Sequence, residues 1–178
     1  TGQVGAALTR QPHIAGVAFT GSTDTARVIH RSVADHLDPG TPLIAETGGL
    51  NVMIVDSTAL PEQAVQAVIE SAFQSAGQRC SALRCLYVQD DIADSFLTML
   101  QGAMATLRHG DPWDLSTDLG PVIDTAAGAR IQSHIAQAQS EGRVLKTAET
   151  QGLFIAPTLI RVSGIEALAQ EVFGPVLH

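Results

Sequence analysis

Between residues 52 and 88 one strongly periodic segment lies between two short apolar runs, and this pattern leaves few folds open. Val65, Val68, Ile69, Ala72, Phe73 and Ala76 recur at the spacing of an amphipathic helix with one buried face. Val52–Val55 before it and Leu83–Val88 after it read as strands of one sheet. The first is continuously apolar, as expected of a strand covered on both faces. Ser57 or Thr58 can cap the helix, Pro61 suits its first turn and Gly77 suits its end.

The same alternation extends in both directions. Ala15–Phe19 and Pro42–Ala45 read as short strands around a helix that carries Ala26, Ile29 and Val33, with Ser22 as its N-cap and Asp38-Pro39-Gly40 as its stop. Ile92, Phe96, Met99, Leu100, Ala103, Met104 and Leu107 mark another amphipathic helix. A loop rich in Gly, Pro, Asp and Ser follows from Gly110 to Pro121, and then a helix from near Asp124 with Ile131, Ile135 and Ala138 inward. Val144–Lys146 and Phe154–Ile160 read as strands, and Glu171–Pro175 as a loop entering a last strand. Strands alternating with helices predict an α/β fold, a mostly parallel sheet with flanking helices.

Composition excludes several classes of function. A net charge of -8 and a pI near 5.0 argue against a nucleic-acid footprint. The apolar runs are short and interrupted, so none provides the roughly 20 residues of a transmembrane helix. Two cysteines, Cys80 and Cys85, are too few for a disulfide framework, and with no signal peptide they point to a reducing, cytoplasmic setting. The six histidines do not cluster and no cysteine pair has ligand spacing, so no metal site is expected. The chain starts at Thr1 and stops within the apolar run Val176-Leu177-His178, and both ends read as cuts through a longer polypeptide.

Three features could carry chemistry. Cys80 lies in a loop between the strongest helix and a strand, where a stabilised thiolate would be a nucleophile; the alternative is a small buried hydrophobe. Cys85, in mid-strand, reads as core. Glu46 follows an apolar run and precedes Gly48-Gly49, which places a carboxylate at a strand's end. It is either a partly desolvated general base or a solvated turn residue. Phe19-Thr20-Gly21-Ser22 joins a strand to a helix N-terminus through a glycine turn, a weak anion-site signal, with neither a GxGxxG nor a GxxxxGK[ST] fingerprint present. Cys80 and Glu46 are expected at loop ends of the same sheet, facing one cleft.

FTGS, ETGG, GQRC and EVFGPV occur in the order and rough spacing of the aldehyde dehydrogenase superfamily, which the whole chain resembles. The longer runs SAFQSAGQRCSALR, VAFTGS and IAETGGLN resemble one branch, the L-glutamate γ-semialdehyde (pyrroline-5-carboxylate) dehydrogenase module of bacterial bifunctional proline-utilisation flavoproteins. The resemblance implies that Cys80 is the nucleophile and Glu46 the base that activates the deacylating water. It implies that Gly21 and Ser22 lie beside the cofactor phosphates, Glu171 holds the nicotinamide ribose and Phe173 flanks the nicotinamide. Ser81 matches a serine that helps hold the substrate carboxylate. Many relatives carry a second glycine where this chain has Ala26, a modest change given alanine's size.

The same resemblance implies an NAD cofactor, without deciding against NADP, and a small aldehyde substrate. Residues 1–48 would end an NAD-binding domain and residues 49–178 would form a catalytic domain truncated at its C-terminus. The remainder of the parent chain would include a proline dehydrogenase domain in some relatives, and the parent would be a homo-oligomer. The family's oxyanion-hole asparagine falls outside this sequence, so residues 1–178 alone are expected to be inactive. A folded module that serves only for interaction is the rival reading. A cysteine hydrolase is a third, and it lacks a histidine near Cys80 in sequence.

Overall fold

A computed structural model describes residues 2–178. They divide into two compact units, one ending at Gly48 and the other spanning Gly49–His178.

The first unit contains α1 (Gly2–Leu8), β1 (Val17–Thr20), α2 (Thr23–His36) and β2 (Leu43–Glu46). β1 and β2 pair in parallel from Val17↔Leu43 to Thr20↔Glu46. Both strands sit slightly later than the apolar runs suggest. Pro42 has no N–H for a ladder, and its carbonyl instead accepts from Val17 N at 2.9 Å at the strand entry. Ser22 caps α2, its Oγ accepting from Thr25 N at 3.2 Å. Ala26 and Val33 are the buried residues of α2. Gly40 turns the chain toward β2 at φ 89°.

The second unit begins with β3 (Asn51–Val55), α3 (Pro61–Phe73), a 3₁₀ turn over Gln74–Gly77 and β4 (Leu83–Val88). It continues through α4 (Asp90–Thr106), α5 (Thr125–Ser140), β5 (Val144–Lys146), β6 (Thr158–Ile160) and β7 (Val176–Leu177). β3 pairs with β4, and β6 with β7, in parallel; β5 is antiparallel to β6. His178, just past β7, joins the two groups: its N–H donates to Arg84 O and its carbonyl accepts from Leu86 N, at 2.9 and 2.7 Å. The strand order is therefore β3-β4-β7-β6-β5, parallel except at one edge. The run Phe154–Ile160 is strand only over its last three residues, because Phe154 closes a small turn with Gln151.

Side-chain alternation separates two cores on opposite faces of this sheet. On one face Val55, Leu83, Leu159 and Leu177 pack with Val65, Val68, Ala72 and Phe73 of α3 and with Phe96, Leu100 and Met104 of α4. On the other, Ile160 and Val176 pack with Ile131 and Ala138 of α5. α5 covers only the β5–β7 side, so Val52 and Ile54 are 43% and 77% exposed. Neither Ser57 nor Thr58 caps α3: its N-cap is Leu60, and the Thr58 hydroxyl bonds Asp56 instead. Pro61 does occupy the first turn.

The His178 ring is buried at the seam of the sheet. Its Nδ1 lies 3.0 Å from Arg84 O and its Nε2 2.8 Å from His134 Nε2. A carbonyl only accepts, so Nδ1 carries the proton, Nε2 accepts, and His134 donates. Burial is the main cause that pulls the His178 pKa down to about 4, with His134, Arg143 and Arg84 adding positive charge nearby. The unfolded chain takes up a proton near pH 6.5 and the native state only near 4. His178 therefore contributes full stability above about pH 6.5 and loses it as pH falls toward 4, by up to about 3 kcal/mol. Denaturant unfolding followed across that range should show this slope, and His178→Asn should flatten it.

Candidate active site

The Cys80 loop owes its shape to three successive residues in the left-handed region. α3 ends at Phe73, earlier than Gly77, and Ser75, Ala76 and Gly77 follow with φ of 57°, 53° and 66°. Such a conformation is costly for serine and alanine and persists only where the surroundings over-determine it. Here they do. The Gln78 side chain donates to Ser75 O (3.2 Å) and Pro121 O (3.3 Å) and accepts from Ile123 N (2.8 Å). Gly77 abuts Gly174 so closely that a Cβ on Gly77 would overlap the Gly174 carbonyl, and one on Gly174 would meet Ile131. Gly77 is therefore needed for the close approach of the two loops, and Gly174 for the packing of its loop against Ile131 of α5.

Downstream, Asn51 at the start of β3 donates through its amide nitrogen to Cys80 O (2.7 Å) and Ala82 O (2.9 Å). The backbone on either side of the thiol is thus fixed while Cys80 and Ser81 are exposed. Cys85 is buried, and burial raises its thiol pKa, which suits an inert core residue.

Arg84 ties this loop to the Glu171–Pro175 segment. It is the one fully buried guanidinium among the described residues, and it lies near the start of apolar β4. Its Nη2 donates to Gly77 O at 2.7 Å and Arg79 O at 3.2 Å, and its Nη1 to Gly174 O at 3.0 Å. Nε and Nη2 both bond Glu171 Oε1, at 3.0 and 2.8 Å. The Phe173 ring lies 5.5 Å from the guanidinium carbon, within cation–π range. Phe173 itself is 46% exposed.

Cys80, Ser81, Glu171 and Phe173 all belong to the second unit, and Glu46, Gly21 and Ser22 to the first. Glu46 is exposed at the end of β2, and its carbonyl accepts from Gly21 N at 3.1 Å, which brings the glycine turn and the carboxylate-bearing residue side by side. A Cβ on Gly21 would collide with the Phe19 ring. Glu46 and Cys80 do not lie on one sheet as the sequence suggested: β2 pairs with β1, and Cys80 leads into β4, which pairs with β3. An open, largely apolar groove of about 730 Å³ runs between α1, β1 and α2, lined by Leu8, Thr9, Val17, Phe19, Val28 and Ser32 among others.

The family profile described as "Aldehyde dehydrogenase family" matches residues 1–178. The chain belongs to the aldehyde dehydrogenase family. It is 52% identical to the bifunctional protein PutA of Klebsiella aerogenes and 53% identical to that of Escherichia coli, over 98% of this chain and 14% of each relative. It is 36% identical to a 1-pyrroline-5-carboxylate dehydrogenase of Geobacillus, over 98% of this chain and 36% of that protein. A solved variant of Bradyrhizobium japonicum proline utilization A superposes with a TM-score of 0.95 at 52% identity, covering 100% of this chain and 18% of that one. Staphylococcus aureus betaine aldehyde dehydrogenase, solved in complex with NAD⁺, gives 0.89 at 30% identity, over 97% and 36%. The chain therefore spans a small part of the length of these relatives.

Within this aldehyde dehydrogenase chain, sequence reasoning passed over Arg84, Asn51 and the anchoring role of Gln78. Only Arg84 left a signal, as a charge inside an apolar strand, where an arginine is rarely buried unless paired. The geometry makes Gly77 the least replaceable residue of the loop. Gly77→Ala should destabilise the protein by roughly 2–4 kcal/mol, from left-handed strain plus overlap with Gly174. Equilibrium denaturation measures this, and a change below about 1 kcal/mol would show that the two loops separate freely.

Proposed function

We propose that this chain is part of an NAD-dependent aldehyde dehydrogenase that oxidises L-glutamate γ-semialdehyde to L-glutamate in proline catabolism. The reading rests on an exposed thiol in a loop fixed on both sides, and on the identity to PutA and 1-pyrroline-5-carboxylate dehydrogenase relatives. Residues 1–48 belong to an NAD-binding domain and residues 49–178 to the catalytic domain. The rest of the full-length protein supplies the remaining site groups, and in a bifunctional parent a proline dehydrogenase domain. The working protein is a homo-oligomer.

Gly21 and Ser22 would hold the cofactor phosphates at the α2 N-terminus, where backbone N–H groups and the helix dipole favour anions. The apolar groove beside them fits the adenosine end, its volume lying within the usual range for ligand clefts. Glu171 would hold the nicotinamide ribose and Phe173 would flank the ring. When bound, the nicotinamide supplies the hydride acceptor.

The chain's own residues do the covalent work. The Cys80 thiolate attacks the aldehyde carbon, forming a carbon–sulfur bond as the carbonyl electrons move to oxygen. Loss of hydride from that carbon leaves a thioester on Cys80. Glu46 takes a proton from water as its oxygen attacks the thioester carbon. The carbon–sulfur bond then breaks, releasing the carboxylate and regenerating the thiolate. Ser81 donates a hydrogen bond to the substrate's own carboxylate.

In the full-length protein, Cys80→Ser should abolish aldehyde oxidation. Glu46→Gln should slow thioester hydrolysis by about 10²–10⁴-fold while sparing the first turnover. Stopped-flow absorbance should then show a burst of reduced nicotinamide followed by slow turnover. Unimpaired steady turnover in Glu46→Gln removes Glu46 from the mechanism.

A further inference from the structure

We propose that Arg84 is a positioning residue that couples the nucleophile loop to the cofactor-side carboxylate, so that Cys80 reactivity and Glu171 placement are set by one buried guanidinium. The inference deepens the function proposed above and rests on it for the roles of Cys80 and Glu171.

The argument begins with desolvation. Arg84 has no solvent exposure, and a buried cation is tolerated only when its donors are met and its charge is balanced. Glu171 supplies the charge and three carbonyls supply the remaining acceptors. Two of those carbonyls, Gly77 O and Arg79 O, belong to the residues leading into Cys80, and the third, Gly174 O, belongs to the loop that carries Glu171 and Phe173. The fork geometry of the guanidinium fixes these acceptors relative to one another, as a lysine's single point charge could not.

The Glu171 carboxylate is used asymmetrically. Both Arg84 contacts fall on Oε1, and Oε2 accepts no hydrogen bond among the described residues. The Glu171 side chain is 11% exposed. One oxygen thus holds the protein together and the other stays available to a hydroxyl-bearing ligand. Residues 79 and 171 lie far apart in the chain, and the guanidinium makes their positions interdependent. Loss of either partner of the ion pair should therefore be felt at Cys80 even with no cofactor bound.

The test uses the full-length protein and two variants, Arg84→Lys and Glu171→Gln, with three readouts. The first is the rate at which iodoacetamide alkylates Cys80 in cofactor-free protein, followed by peptide mass spectrometry; buried Cys85 serves as an internal control. The second is the dissociation constant for NAD, and the third is steady-state kcat and KM. In Arg84→Lys the alkylation rate should change by about fivefold or more and NAD should bind about tenfold more weakly, as expected when hydrogen bonds to a charged group are lost. If Arg84→Lys does not fold, Glu171→Gln carries the test. A residue that only holds ribose leaves alkylation in cofactor-free protein unchanged, whereas the coupling predicts a shift of about threefold or more. Alkylation rates within twofold of wild type in the folded variants overturn the proposal. A protein that shows the alkylation changes yet oxidises no aldehyde retains the coupling and refutes the function assigned above.

Discussion

A guanidinium sealed from water must find acceptors for its N–H groups inside the protein, and the second unit is arranged around how Arg84 finds them. Its partners come from the turn after α3, from the residues leading into Cys80 and from the approach to β7. Breaking a buried ion pair costs about 3–5 kcal/mol, because the remaining charge stays desolvated. That penalty makes the arrangement close to all-or-none. The carbonyls reach Arg84 only if Gly77 lies against the Gly174 carbonyl without a side chain, and it does so in the left-handed turn that Ser75 to Gly77 take. A local backbone oddity, a glycine contact and a buried charge are thus one constraint seen at three levels.

The sheet provides the rigidity this requires. Arg84 stands on β4, the strand that meets β3 on one side and the His178 continuation of β7 on the other. β7 carries the Glu171–Gly174 loop into the same sheet, so the two loops that Arg84 joins come from adjacent strands. Two cores, one under α3 and α4 and one under α5, hold the strands from opposite faces. The Cys80 loop is thus held in one arrangement by a rigid frame.

Much of the fold could be read from residue patterns. The helices Pro61–Phe73, Asp90–Thr106 and Thr125–Ser140 match apolar residues at helical spacing, and the strand Leu83–Val88 matches its apolar run at both ends. Prediction was weaker at helix ends. Ser57 and Thr58 are good capping types, but Asp56 captures the Thr58 hydroxyl and Gln89 bonds the Ser57 N–H. Such local competition for hydrogen bonds does not show in a list of residue preferences.

The sequence by itself determined the α/β alternation, the loop position of Cys80 and, through four ordered motifs, the aldehyde dehydrogenase family. These are local properties, set by side-chain spacing and turn chemistry over a few residues. Only the tertiary structure decided that Glu46 and Cys80 sit on different sheets, and that Arg84, Asn51 and Gln78 fix the Cys80 loop. Arg84 and Glu171 are separated by most of the second unit, and the value of a buried charge depends on which acceptor comes to meet it. That pairing is decided by how strands β4 and β7 are brought together by packing, and no stretch of neighbouring residues carries it.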